Sequence, residues 1–283
     1  MSKAFRAACI QTTSGPIVDD NLKASCELIE QAAAAGADII MTPEVVNVMD
    51  MDRKALATKT SQEKDDVTLA AFQEIARKTG KWILAGSVGL KHEIAVDANG
   101  HPKFANRSVL INPQGKSVAR YDKIHMFDVD LDGGESYRES KAYEPGDTSR
   151  LVDLPWGKLG MTICYDLRFP QLYRSLAQAG ASFLSIPAAF TRPTGEAHWH
   201  ILMRARAIEN GCYVFAPAQC GHHGGTRYTY GHSLIIDPWG KVLADGGEEP
   251  GFIMAEIEPE QVTKARQKVP SLKNGREFTL NQS

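Results

Sequence analysis

The sequence predicts an α/β protein, a four-layer α-β-β-α sandwich with two sheets face to face between outer helices. Three observations carry this. Short apolar runs of strand length alternate with amphipathic stretches of helical period. Three segments recur in the same order in the two halves of the chain. No Pro/Gly/Ser-rich linker or low-complexity tract divides the 283 residues, so residues 1–283 are expected to form a single domain.

The elements follow in order. Phe5–Gln11 is the first strand candidate. Leu22, Cys26 and Ile29 then share one face of a helix. Asp38–Thr42 is the next strand, ended by Pro43. Leu69, Phe72, Ile75 and Ala76 mark a second helix, followed by the strand Trp82–Gly86, with Gly86-Ser87-Val88-Gly89 read as a loop of small residues. In the second half, Leu159–Ile163 is a strand and a helix pattern begins near Gln171. Ser182–Ile186 and Tyr213–Ala216 are further strands, and Trp199, Leu202, Met203 and Ile208 populate the helix between them. Strands alternating with helices imply sheets buried beneath helices.

The repeat refines this into two halves. Ala35-Gly36-Ala37-Asp38 and the following IIMTPE resemble Ala179-Gly180-Ala181-Ser182 and FLSIPA. Gly80 to Ala85 resembles Gly211 to Ala216, and the turn Ile111 to Lys116 resembles Ile236 to Lys241. The order is kept while the spacing drifts, as expected of two similar α/β halves packed sheet to sheet.

Composition excludes several classes. The chain is 43% hydrophobic with a net charge of -2, unlike a disordered chain. The balance of 32 basic and 34 acidic residues gives no reason to expect nucleic acid or an anionic membrane as partner. No apolar run reaches the roughly 18 residues of a membrane span, and no secretory signal is seen at the start. Five cysteines, an odd number without a disulfide-like framework, are expected to be reduced thiols in a cytoplasmic protein.

Cys164 stands out among them. A strand runs into it and a helix follows, and a nucleophile at such a turn projects outward beside free backbone N–H groups. Cys9, Cys26, Cys212 and Cys220 read as core thiols. A thiol needs a base. Eight histidines are available, none at a distinctive spacing, and Glu44, after the strand-ending Pro43, is the carboxylate option. The repeat sets Glu44 opposite Ala188, so the fold does not demand an acid there. Lys123, among aromatic and apolar neighbours, could be a fixed electrophile beside an oxyanion. Cys220-Gly221-His222-His223 and His198-Trp199-His200 offer metal ligands, but no CxxC or HExxH spacing is present, and no metal is expected. No GxSxG, GxGxxG or P-loop is present either.

Taken together, these residues resemble the nitrilase superfamily of carbon–nitrogen hydrolases. Thr42-Pro43-Glu44, the segment from Tyr121 to Phe127, and the segment from Gly160 to Pro170 match three family motifs in order. The resemblance runs from Ala8 to the helix near Gln261–Val269. It implies the sandwich fold, no cofactor, and a Glu44–Lys123–Cys164 triad. It also marks Glu139, in Glu139 to Gly146, as the second glutamate that positions the lysine and substrate. The downstream segments, such as Arg204 to Asn210 and Tyr230 to Ser233, are most similar to Nit-type amidases, the deaminated-glutathione branch above all. His200 departs from the expected pattern, standing where Glu is common.

The implied reaction is hydrolysis of a small, non-peptide carboxamide to acid and ammonia through a cysteine thioester. Glu44 would act as base and acid, with Lys123 and the Tyr165 backbone N–H holding the oxyanion. Arg168 is the first candidate for gripping a substrate carboxylate, with a structural salt bridge to Asp166 or a neighbouring strand as its other role. Phe190 and Thr191 are expected pocket walls. The resemblance also implies a homodimer or higher homo-oligomer, joined through the helices after the nucleophile and the Arg204 to Glu209 segment. Three other functions compete. One is an N-carbamoyl-amino-acid amidohydrolase with the same triad, another a catalytically silent small-molecule binding protein, and the last a metalloenzyme using Cys220, His222 and His223.

Overall fold

A computed structural model describes residues 3–130 and 136–282. The first half contributes β1 (Phe5–Gln11), α1 (Val18–Ala34), β2 (Ile39–Met41), α2 (Arg53–Lys59), α3 (Val67–Thr79), β3 (Trp82–Val96), β4 (Pro102–Ile111) and β5 (Ser117–Asp122). Short strands β6 (Asp128–Asp130) and β7 (Ser136–Arg138) follow. The second half brings β8 (Arg150–Leu154), β9 (Gly157–Met161), α4 (Pro170–Gln178), β10 (Ala181–Ser185), α5 (Arg192–Asn210) and β11 (Tyr213–Ala216). It closes with β12 (Cys220–His222), β13 (Tyr228–Tyr230), β14 (Leu234–Ile236), β15 (Val242–Asp245), β16 (Gly251–Ile257) and α6 (Glu260–Lys268).

Two six-stranded sheets result, in the orders β16-β1-β2-β3-β4-β5 and β8-β9-β10-β11-β14-β15. Position by position, parallel and antiparallel pairings agree between the sheets. The repeat is therefore real at the level of topology, and it holds at the level of single hydrogen bonds. Asn112 Oδ1 accepts from the Gln114 and Lys116 N–H groups, and Asp237 Oδ1 accepts from those of Trp239 and Lys241. Helices α3 and α5 both end on a left-handed glycine, Gly80 and Gly211, before the matched strands β3 and β11.

Alternation along the strands builds the layers. In the first sheet Ala7, Cys9, Ile39, Met41, Leu84 and Leu110 point to the cluster shared with the second sheet. Ala8, Ile10, Ile40, Ile83, Val109 and Ile111 point the other way, against Ile29, Ala32, Leu69, Phe72 and Ile75 of α1 and α3. Helices α4 and α5 cover the second sheet, giving the four-layer sandwich.

Three expectations need correction. Gly86 to Gly89 is no loop: it lies inside β3, which runs on to Val96, with a register irregularity between Ala85 and Val88. Ile208 does not join Trp199 and Met203 in the core but is 52% exposed. On α1 the fully buried line is Asn21, Ser25, Ile29 and Ala32, with Leu22 and Cys26 only half-buried at its edge. Cys9, Cys212 and Cys220 are buried as expected.

Candidate active site

Glu44 lies just beyond the end of β2, and two sheet-end contacts fix its backbone. The Val45 N–H donates to Ser87 Oγ at 2.8 Å, and Gln219 Nε2 donates to the Glu44 carbonyl at 3.0 Å. Val45 has φ 46°, a strained conformation for a β-branched residue. Cys164 also has φ 46°, at the start of a single 3₁₀ turn (Cys164–Arg168) between β9 and α4. Its N–H donates to the Pro187 carbonyl at 2.9 Å.

Lys123 follows β5 directly. Its Nζ donates to Glu44 Oε1 at 2.8 Å and to Glu139 Oε2 at 2.9 Å. Glu139, on a 3₁₀ turn after β7, also accepts from the Phe127 N–H at 2.6 Å. Asn106 Nδ2, from β4, donates to both carboxylates at 2.9 and 3.1 Å. The other Glu44 oxygen accepts from the Ala189 N–H at 2.8 Å. Glu44, Lys123 and Cys164 are 4%, 2% and 7% exposed. This little water keeps the charges strongly coupled.

Burial alone would make each of these groups neutral, and their neighbours decide otherwise. Burial opposes Glu44 ionisation, yet the Lys123 charge and hydrogen bond hold its carboxyl below the usual range. Burial likewise opposes charge on Lys123, and Glu139 with Glu44 keeps its ammonium well above the usual range. Burial and then Glu44 push the Cys164 thiol up, with Lys123 only partly opposing them. The neighbours thus favour a carboxylate on Glu44 and an ammonium on Lys123, and they keep the Cys164 thiol neutral.

A cavity of about 330 Å³ opens on this cluster, and Tyr165, Phe190 and Thr191 also line it. No acceptor among the described residues holds the Tyr165 N–H. Asp166 ties the nucleophile turn to the lysine segment. It accepts from the Ile163 N–H at 2.8 Å, from Tyr121 Oη at 2.6 Å and from the His125 N–H at 3.1 Å.

The sequence profile described as "Carbon-nitrogen hydrolase" matches residues 6–267. The chain belongs to the carbon–nitrogen hydrolase family. A deaminated glutathione amidase from Synechocystis sp. is 43% identical over 278 residues, covering 96% of this chain and 98% of that one. The crystal structure of the Caenorhabditis elegans NitFhit protein matches with a TM-score of 0.87 at 35% identity. It covers 97% of this chain, which spans 66% of that longer one. Nit3 of Saccharomyces cerevisiae, a member of branch 10 of the nitrilase superfamily, gives 0.82 at 30% identity, covering 95% and 96% of the two chains. The α-β-β-α sandwich is thus the nitrilase fold, and the chain is a hydrolase of carbon–nitrogen bonds.

One expectation about the hydrolase fails on geometry. Arg168 does not line the cavity. Its guanidinium lies 5.4 Å from the Phe190 ring and its Nη2 faces His198 Nδ1 at 3.3 Å, while Asp166 turns to Tyr121 and His125 instead. The two metal-like runs do not meet each other, and among the described residues only His200 joins a cluster of possible ligands, with His232 and Asp245. His222 Nε2 faces the Gly225 carbonyl, and His223 is buried between the Ser14 carbonyl and Thr229 Oγ1. His200 instead shares Asp245 with His232, away from the cavity lining. Asn106, Ser87 and Gln219 were missed. Each is an uncharged polar residue in a strand or loop, and only its distant partner makes it distinctive.

Proposed function

We propose that this hydrolase cleaves small, non-peptide carboxamides through a thioester on Cys164, deaminated glutathione being the foremost candidate. The observation that carries the reading is the convergence of Cys164, Glu44, Lys123 and Glu139 on one cavity. Glu44 accepts the thiol proton as sulfur bonds to the amide carbon. Lys123 and the Tyr165 N–H stabilise the oxyanion, and each such donor is worth about 2.7–4 kcal/mol of barrier. Glu44 returns the proton to the departing nitrogen as the C–N bond breaks. Water, deprotonated by Glu44, then splits the thioester into acid and free thiol. Glu139 and Asn106 keep Lys123 and Glu44 in register. Phe190 and Thr191 wall the acyl site.

The leaving group depends on the amide. A primary amide such as α-ketoglutaramate gives ammonia. Deaminated glutathione is a secondary amide, so its leaving group is the amine of cysteinylglycine. The expectation of ammonia therefore covers only part of the substrate class. Neither a metal ion nor an organic cofactor enters these steps. The same reading makes residues 1–283 one catalytic domain, located in the cytoplasm and acting as a homodimer.

The test is turnover of deaminated glutathione, α-ketoglutaramate and an N-carbamoyl amino acid, with the acyl-enzyme trapped by mass spectrometry. A mass increment on Cys164 with the first two is expected. Cys164→Ala should abolish turnover with its circular dichroism unchanged. Full activity in that variant would sink the mechanism, and preference for the carbamoyl substrate would redirect the substrate class.

A further inference from the structure

Among the described residues, four cationic side chains line the cavity: Lys123, Arg138, Arg53 and Arg227. Two are fully engaged. Lys123 serves Glu44 and Glu139. Arg138 Nη2 donates to both Asp130 oxygens at 2.8 Å, and its Nη1 donates to the Val129 and Tyr137 carbonyls. The other two keep donors in reserve. Arg227 Nη2 donates to the Ala189 carbonyl at 2.7 Å and its guanidinium lies 4.9 Å from the Tyr137 ring centre. Its Nη1 is buried with no hydrogen-bond partner. Arg53 Nη1 pairs with Asp97 at 2.7 Å, and its Nη2 is also buried and unpartnered.

Buried donors are almost always bonded, and leaving a charged one unmet is costly. Both arginines belong to the wall of one cavity, and an unmet buried guanidinium nitrogen on each marks a site that a ligand completes. The complement of a guanidinium is a carboxylate, which supplies acceptor oxygens and the opposite charge together. The position also suits the chemistry. Arg227 is anchored on the carbonyl of Ala189, whose N–H holds Glu44.

We propose that Arg227, with Arg53 as a second contact, binds a carboxylate of the substrate, so that the hydrolase selects carboxylate-bearing amides over neutral ones. This rests on the amidase reading above, and the experiment separates the two. In a Cys164→Ala background, binding of succinamate and of its neutral counterpart butyramide is measured by calorimetry. Succinamate should bind roughly 10–100-fold more tightly, the worth of hydrogen bonds to a charged group. Adding Arg227→Ala should shrink that ratio to about threefold or less, Arg227→Lys should fall between, and Arg53→Ala should lower the ratio less than Arg227→Ala. No succinamate binding, equal binding of the two amides, or a ratio that survives Arg227→Ala overturns the proposal. If Arg227→Ala fails to fold, the Lys and Arg53 variants carry the same comparison. Turnover is read separately with Cys164 intact. Succinamate bound but never hydrolysed would count against the amidase reading and leave the carboxylate site standing.

Discussion

Asp166 is wholly buried and neither touches the cavity nor carries the chemistry, yet it holds the site together. Its oxygens accept from the turn that presents Cys164 and from both Tyr121 and His125, which flank Lys123. Asp166→Asn keeps the volume but forces a donor against these donors. A displacement of about 1 Å in a catalytic group can cost roughly 100-fold, so kcat should fall by about 10–100-fold in steady-state assays while KM moves far less. His223 sets an acid limit. Burial holds its imidazole down at about 4, against 6.5 when free. The unfolded chain therefore binds the extra proton first, and stability is lost as pH falls from 6.5 towards 4. The loss is on the order of 3 kcal/mol. Urea unfolding across that window should show it, and His223→Gln should flatten the slope.

At the scale of elements, the bulged middle of β3 decides where Glu44 goes. The Ser87 N–H donates to the Pro43 carbonyl and its Oγ accepts from Val45, gripping the chain on both sides of Glu44. Gly86 makes this approach possible. A Cβ there would lie 1.8 Å from the Thr42 carbonyl oxygen and 2.6 Å from Pro187 Cβ. Neither neighbour can yield without moving a strand end. Gly86→Ala should cost at least about 2–3 kcal/mol by overpacking and displace Glu44, which thermal melts and activity assays would both register. The small residues that read as a loop are small because two halves of the fold meet there. Periodicity could not show this, since the Pro187 contact comes from the opposite sheet.

For the whole molecule, the two sheets share one apolar cluster, while α5 carries Ile201 at 70% and Ile208 at 52% exposure. Apolar side chains repeated on one helix support a second copy as the cover, since a stable interface needs roughly 800 Å² per partner. For the homodimer proposed above, Ile201→Glu should shift the protein to half its mass in light scattering while the monomer keeps its fold. An unchanged mass would remove α5 from the interface. No helix among the described residues is long and apolar enough to cross a membrane.

The strands Phe5–Gln11 and Tyr213–Ala216 and the repeat were legible in the sequence, and the family resemblance singled out Glu44, Lys123 and Cys164. These features are local: alternation, turn chemistry and short motifs are written in consecutive residues. The tertiary structure alone decided the rest. It drew Glu44 to Asn106 across 62 positions and to Gln219 across 175. It set Arg168 behind Phe190 and beside His198, and brought Arg227 to the cavity. Residue type and spacing do not encode which donors remain unmet. That emerges only when packing removes water and leaves each polar group the partners within reach.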